Sequence, residues 1–340
     1  MKYALTILLL ITFSVSNATI RRVNNNSGVT PVDGLVYADF ISAFNDAANG
    51  DTIYIEPSIN HYTPPNPFNK RLTIIGDGYL KGTNATLQNP LSFSLNESIL
   101  QGNFTIAAGA ENTAFYGVHF RSSSITLTAG NILFKRCRLK GFNAQTLTIN
   151  SSSNLIEQCY FDLDGGGHND IAGNGSGNIF RNCIMTDVFR DQQNPIVDQC
   201  ILGGVSNVVN GTFTNSIVGT NTYTVGTNST FTNSIKIGAT FGTPGNNNIE
   251  NASVNDIFIL GGDSDNDPFD TSIDRDFRLK VGSIAAAAGN TGQDIGPFGG
   301  SVPYRLSGMP PVPIISNFFL SSTGSTSSGL TGSITIQSNN

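Results

Sequence analysis

Few side chains in this 340-residue sequence could carry chemistry: it has 24 acids, 18 Lys and Arg, 3 His and 4 Cys. The densest grouping is FDLDGGGHND with TDVFRD close behind. Asp162 and Asp164 are two apart, which puts both on one face of a strand. His168 and Asp170 fall in the loop that follows, and Asp187 returns one repeat later beside Arg190 and Asp191. Two carboxylates and a base are what general acid–base cleavage of a sugar linkage requires, so Asp162, Asp164, His168 and Asp187 are the candidate catalytic set. A polar, Gly-rich loop also gathers Asp and His for solvation and turn chemistry alone. A second grouping, GGDSDNDPFDTSID, alternates Asp263, Asp265 and Asp267 and places Asp274 twelfth, the pattern of a Ca2+ loop. Pro268 stands where such a loop needs Gly, so an ordinary acidic turn competes with a structural Ca2+ site. Ca2+ is the one cofactor the sequence suggests, and nothing in it requires one.

These groups must be positioned by a repeat. FYGVHF, FKRCRL, IEQCYF, FRNCIM, VDQCIL, FTNSIV and FTNSIK begin at Phe115, Phe134, Ile156, Phe180, Val197, Phe213 and Phe231. Successive starts are thus between 16 residues (197 to 213) and 24 residues (156 to 180) apart. Helical periodicity is not evident, and one coil per repeat with loops of varying length describes a β-solenoid of about ten rungs. Read in columns, the second position holds Lys135, Glu157, Arg181 and Asp198, an alternation suited to an ion-pair ladder between rungs about 4.8 Å apart. The third holds Gly117, Arg136, Gln158, Asn182, Gln199, Asn215 and Asn233, mostly residues that tolerate a positive φ at a bend and, as amides, could bond from rung to rung.

The fourth column is Val118, Cys137, Cys159, Cys183, Cys200, Ser216 and Ser234, small residues for a tight interior. Stacked cysteines point the same way, so a ladder of buried thiols is expected; two bridges, Cys137–Cys159 and Cys183–Cys200, are the rival. The strands entering the repeats, Ile125–Thr128 and Thr146–Ile149, turn Thr outward, which argues against catalysis.

With YADFISAFNDAANGDTIYIEPS, KRLTIIGDG and DFRLKVGSIAAAAGNTGQDIGPFGG, the chain resembles the pectate-lyase-like right-handed parallel β-helix proteins secreted by bacteria. The first stretch resembles their N-terminal capping helix, with Phe40, Ala43, Phe44 and Ala47 on one side. The last resembles their closing segment. The likeness implies an all-β fold, a single-stranded right-handed parallel β-helix with an N-terminal capping helix and a C-terminal tail. That scaffold hosts lyases, hydrolases, adhesins and spikes, so it implies no one activity.

Residues 1–18 read as a signal peptide: Lys2, an apolar run from Leu5 to Val15, and small residues before a cut. The run is too short for the ~20 residues of a membrane span. Residues 19–56 then form the cap and first strand, 57–300 the β-helix with its closing segment, and 301–340 a tail that serves as cap or assembly strand. A net charge of −6 argues against a nucleic-acid partner. The expectation is a secreted or cell-surface protein with a structural, adhesive or assembly role and no membrane span after cleavage. Its partner would be a cell-surface glycan or another copy of itself; the alternative is a polysaccharide lyase, a glycoside hydrolase or a glycan-binding solenoid.

Overall fold

The computed structural model describes residues 18–81, 96–121, 124–141, 147–162, 171–221, 223–242, 246–259, 269, 273–310, 314–320 and 329–337. Each repeat forms a short strand, a bend and a second strand, and the chain winds into a right-handed parallel β-helix. The first strands stack as one parallel sheet through Thr52–Ile55, Thr73–Ile75, Ala114–Tyr116, Leu133–Lys135 and so on to Thr230–Thr232. The second strands stack from Ile99–Gln101 through His119–Arg121, Arg138–Lys140, Tyr160–Asp162 and Ile184–Arg190 to Ile249–Ala252. Third strands, Phe104–Ile106, Ile125–Leu127 and Leu147–Ile149 among them, complete the coil.

The bend works because every residue of the third column from Gly117 to Asn233 has a φ between 49° and 62°. In that conformation the next residue turns its amide and side chain inward. This explains the fourth column: Cys137 N–H donates to Cys159 Sγ at 3.4 Å, Cys183 N–H to Cys200 Sγ at 3.4 Å and Cys200 N–H to Ser216 Oγ at 3.1 Å. Each of these side chains in turn donates to the carbonyl two residues before it, as Cys159 does to Glu157 at 3.4 Å and Ser216 to Thr214 at 2.8 Å. All four cysteines are free and buried, as the ladder reading expects. Against them the first-column rings stack, Phe115 on Phe134 at 5.0 Å and Phe213 on Phe231 at 4.4 Å between centroids. Each buried Phe contributes about 1.5–3 kcal/mol.

At the N-terminal end the helix Phe40–Asp46 closes the coil, capped by Asp39, which accepts the Ser42 amide at 2.8 Å. Phe40, Ala43, Phe44 and Ala47 are buried, and the exposed edge of Thr52–Ile55 is paired by a further strand, Ile20–Val23. Covering both interior and edge is the task a solenoid cap must perform.

The described part of the chain between Ser253 and Pro310 does not simply end the coil. It runs back along the outer surface as a strap. The fifth column shows why: His119 and Arg138 are followed by Tyr160, Ile184, Ile201, Ile217 and Ile235, and these apolar members are buried beneath Ile257, Phe258, Phe269, Phe277, Ala285, Ile295 and Tyr304. At Gly219 a Cβ would lie 2.7 Å from the Phe269 ring, so that position has to be bare. The third-column side chains anchor the strap more than they anchor one another. Asn182 Nδ2 donates to the carbonyls of Pro297 at 2.8 Å and Gly299 at 2.9 Å, Gln158 Nε2 to Val302 at 3.3 Å and Arg136 Nη1 to Met309 at 2.9 Å. Beyond the strap, Ile314–Leu320 and Gly332–Gln337 pair with each other as an antiparallel hairpin. Among the described residues no helix is long and apolar enough to cross a membrane; residues 1–17 of the expected signal peptide lie outside them.

Candidate functional site

Beyond the reach of the described strap residues, the fifth and seventh columns of the second sheet are polar. Register stacks His119 on Arg138 and Arg121 on Lys140 on Asp162. A cleft of about 490 Å³ opens over this face, lined by His61, Glu97, His119, Arg121, Arg138 and Lys140, with Ser58, Ile59, Asn96 and Ile99 on its first-rung side. The wall exists because the chain at Tyr62 runs parallel beside Leu100, adding a rung ahead of the sheet.

Two charge systems support the cleft. Glu97 bonds the Nδ1 of His119 through one oxygen and accepts the Leu80 amide at 2.7 Å through the other. Burial by itself would raise the Glu97 pKa; the His119 hydrogen bond and the nearby Arg138 charge outweigh it and hold the carboxyl below its usual range. Burial pushes His119 down to about 4, so the imidazole is neutral at pH 7, with Nδ1–H given to Glu97. Its Nε2 is buried and meets no partner among the described residues. On the next rungs Asp162 receives Arg138 through Nε at 3.0 Å and through Nη2, Lys140 Nζ at 3.4 Å, and the Tyr160 hydroxyl at 3.3 Å. Burial would weaken the Arg138 charge, but Asp162 more than compensates, so the guanidinium stays charged.

Asp162 is therefore 6% exposed and committed to ion pairs rather than presented to solvent. Asp187 lies in the adjoining strand, where the register shifts between Met185 and Val188, and its Oδ1 accepts the Val188 amide at 2.8 Å. Asp164 and His168 lie outside the described residues, as do Asp263, Asp265 and Asp267. Asp274 is fully buried, and its Oδ2 accepts the Tyr304 hydroxyl and the Ser307 amide, both at 3.1 Å, inside the strap. Among the described residues no three or more His, Cys, Asp or Glu gather as a metal site would need.

No family model and no curated protein matches the chain. Among solved structures it is similar to the crystal structure of pectate lyase Pel9A, with a TM-score of 0.51 and 16% identity over 84% of this chain and 97% of that one. The fold is the pectate-lyase-like right-handed parallel β-helix. At that identity the likeness concerns the scaffold, and the residues of this β-helix have to speak for the site.

They speak from a face the sequence reading passed over. The Thr-bearing strands Ile125–Leu127 and Leu147–Ile149 are third strands of the coil, and their neutral surface is one of several that the β-helix turns outward. The charged face belongs to the second strands. Its signal was present in the repeats: the fifth column runs His, Arg, Tyr and then Ile four times, and the seventh opens Arg121, Lys140, Asp162. Glu97 had no such signal, because it precedes the recognisable repeats.

Proposed function

We propose that the protein binds an acidic polysaccharide in the cleft over the second sheet. The carrying observation is that Arg121, Arg138 and Lys140 from neighbouring rungs line one cleft together with His61 and His119. Cations repeated at the spacing of parallel strands suit a polyanion lying along the coil axis, and Arg138 and Lys140 are held in place by Asp162. On this reading the protein is exported and meets its glycan outside the cell.

A second reading, cleavage by β-elimination, draws on the Glu97–His119 pair. In that step a base takes the proton α to the uronate carboxylate, the electron pair forms a carbon–carbon double bond, and the glycosidic oxygen leaves with a proton. Arg121 or Lys140 would neutralise the carboxylate and Nε2 of His119 would take the proton. Against it, Nε2 is covered and an imidazole held at about 4 is a weak base.

Affinity electrophoresis and calorimetry on polygalacturonate, alginate and hyaluronan test the proposal. The wild type should bind at least one, more weakly in salt, and the double variant Arg121→Gln/Lys140→Gln should bind about tenfold less tightly or worse. Failure to bind any of them, or an unaffected double variant, removes the reading. Ultraviolet absorbance of an unsaturated product, abolished by His119→Ala while binding persists, would establish elimination.

A further inference from the structure

The third column carries an irregularity away from this cleft. Asn182 spends its amide on two strap carbonyls, and two rungs on Asn215 Oδ1 accepts the Asn290 amide of the strap at 3.0 Å. Gln199 lies between them in the same backbone conformation and 2% exposed. Both its Oε1 and its Nε2 are buried, and neither has a partner among the described residues. A buried donor and a buried acceptor left unmade cost about 1–3 kcal/mol each, so a chain that places both in one amide leaves a strong demand for something that can satisfy them.

The space beside Gln199 can hold it. A cleft of about 600 Å³ opens between the bend and the strap, lined by Arg181, Asp198, Gln199, Thr214, Thr291 and Gln293 with their neighbours. This size is that of a small-ligand site. Among the described residues its lining is amide, hydroxyl and one charge of each sign, with no aromatic ring. Asp198 Oδ1 is already taken by the Thr214 hydroxyl at 2.7 Å and Asn215 Nδ2 at 3.0 Å, so that carboxylate is fixed rather than mobile. A ligand here has to donate to Oε1 and accept from Nε2 at once while bringing no net charge. Vicinal hydroxyls of a sugar do both.

We propose that the cleft between the third-column bend and the strap is a binding site for a neutral, hydroxyl-rich glycan, gripped by the Gln199 amide. It lies on a different face from the cationic cleft and stands independently of what that cleft does.

The test uses the full exported chain and short neutral gluco-, xylo-, manno- and galacto-oligosaccharides, read by saturation-transfer NMR and calorimetry. At least one should bind, and Gln199→Gly should weaken it about tenfold or more. Gly suits the left-handed backbone, and Gly117 already occupies this column. Gln199→Asn, which also tolerates that backbone but draws the amide back by one methylene, should weaken it as well and serves if the Gly variant does not fold. Arg121→Gln/Lys140→Gln should leave neutral binding unchanged, which separates this site from the acidic-glycan cleft. If no neutral oligosaccharide binds, water alone satisfies Gln199 and the proposal fails. It fails equally if Gln199→Gly or, where that variant does not fold, Gln199→Asn binds as the wild type does.

Discussion

Single residues in this molecule are chosen by the hydrogen bonds a bend leaves over. The fourth column is small, as the repeats suggested, but size is only part of the reason. The sulfur of Cys159 accepts the Cys137 amide and donates to the carbonyl of Glu157, so the side chain completes the backbone of two rungs. Ser216 and Ser234 do the same with oxygen. Cys159→Ser should therefore be mild, whereas Cys159→Leu both overfills a packed interior and strands an amide, at a cost of about 1–3 kcal/mol. Thermal and urea melts in reductant measure this, and a harmless Cys159→Leu would contradict the ladder. The identity of the column was legible from sequence; its second duty was not, because it depends on where a positive φ aims the following amide.

At the scale of strands and columns, the ion ladder is seen over three rungs, Lys135, Glu157 and Arg181, while the Oδ1 of Asp198 on the fourth accepts from Thr214 and Asn215. Lys135 Nζ reaches Glu157 at 2.6 Å and Arg181 Nη1 reaches it at 3.6 Å, but Glu157 itself is 6% exposed. An exposed pair is worth about 0.2–1 kcal/mol, while loss of one partner of a buried pair costs about 3–5 kcal/mol. With Glu157 buried and its cations partly exposed, Glu157→Lys should destabilise by about 2–4 kcal/mol, and salt should recover only part of it. Urea melts at low and high salt decide between this and a solvated ladder, for which the loss would be small and screened away. The amide column departs from expectation in the same manner: its side chains turn to the strap because Asn182 and Gln158 find carbonyls there. A sequence read rung by rung shows which residues share a column. It does not show what later segment will lie across that column.

That strap governs the whole molecule. Its described residues cover the outer face where the fifth column is Ile and do not line the cleft where the column is His119 and Arg138, so the change from polar to apolar in one column accompanies both the third layer of packing and the position of the cationic cleft. The strap also separates the tail into two parts that the sequence presented as one. Up to Pro310 the chain is anchored: the hydroxyls of Tyr79 and Tyr304 are 2.6 Å apart, Tyr79 N–H donates to Ser307 at 2.8 Å, and Asp274 holds Tyr304 and Ser307. Beyond it, Ile314–Leu320 and Gly332–Gln337 satisfy one another, and Phe319, Ile334 and Ile336 are more than half exposed. Two truncations therefore should not behave alike. Ending the chain after Pro310 removes a hairpin that pairs with itself, and the melting temperature should move by no more than ~2 °C. Ending it after Pro303 deletes Tyr304 and Ser307, leaves Asp274 without these two hydrogen-bond donors, and uncovers the Tyr79 ring. The loss should be several kcal/mol, or roughly 10 °C or more, with dye-binding apolar surface. Equal melting of the two would mean that the strap does not stabilise the coil, and a large loss on cutting at Pro310 would make the hairpin itself the cap.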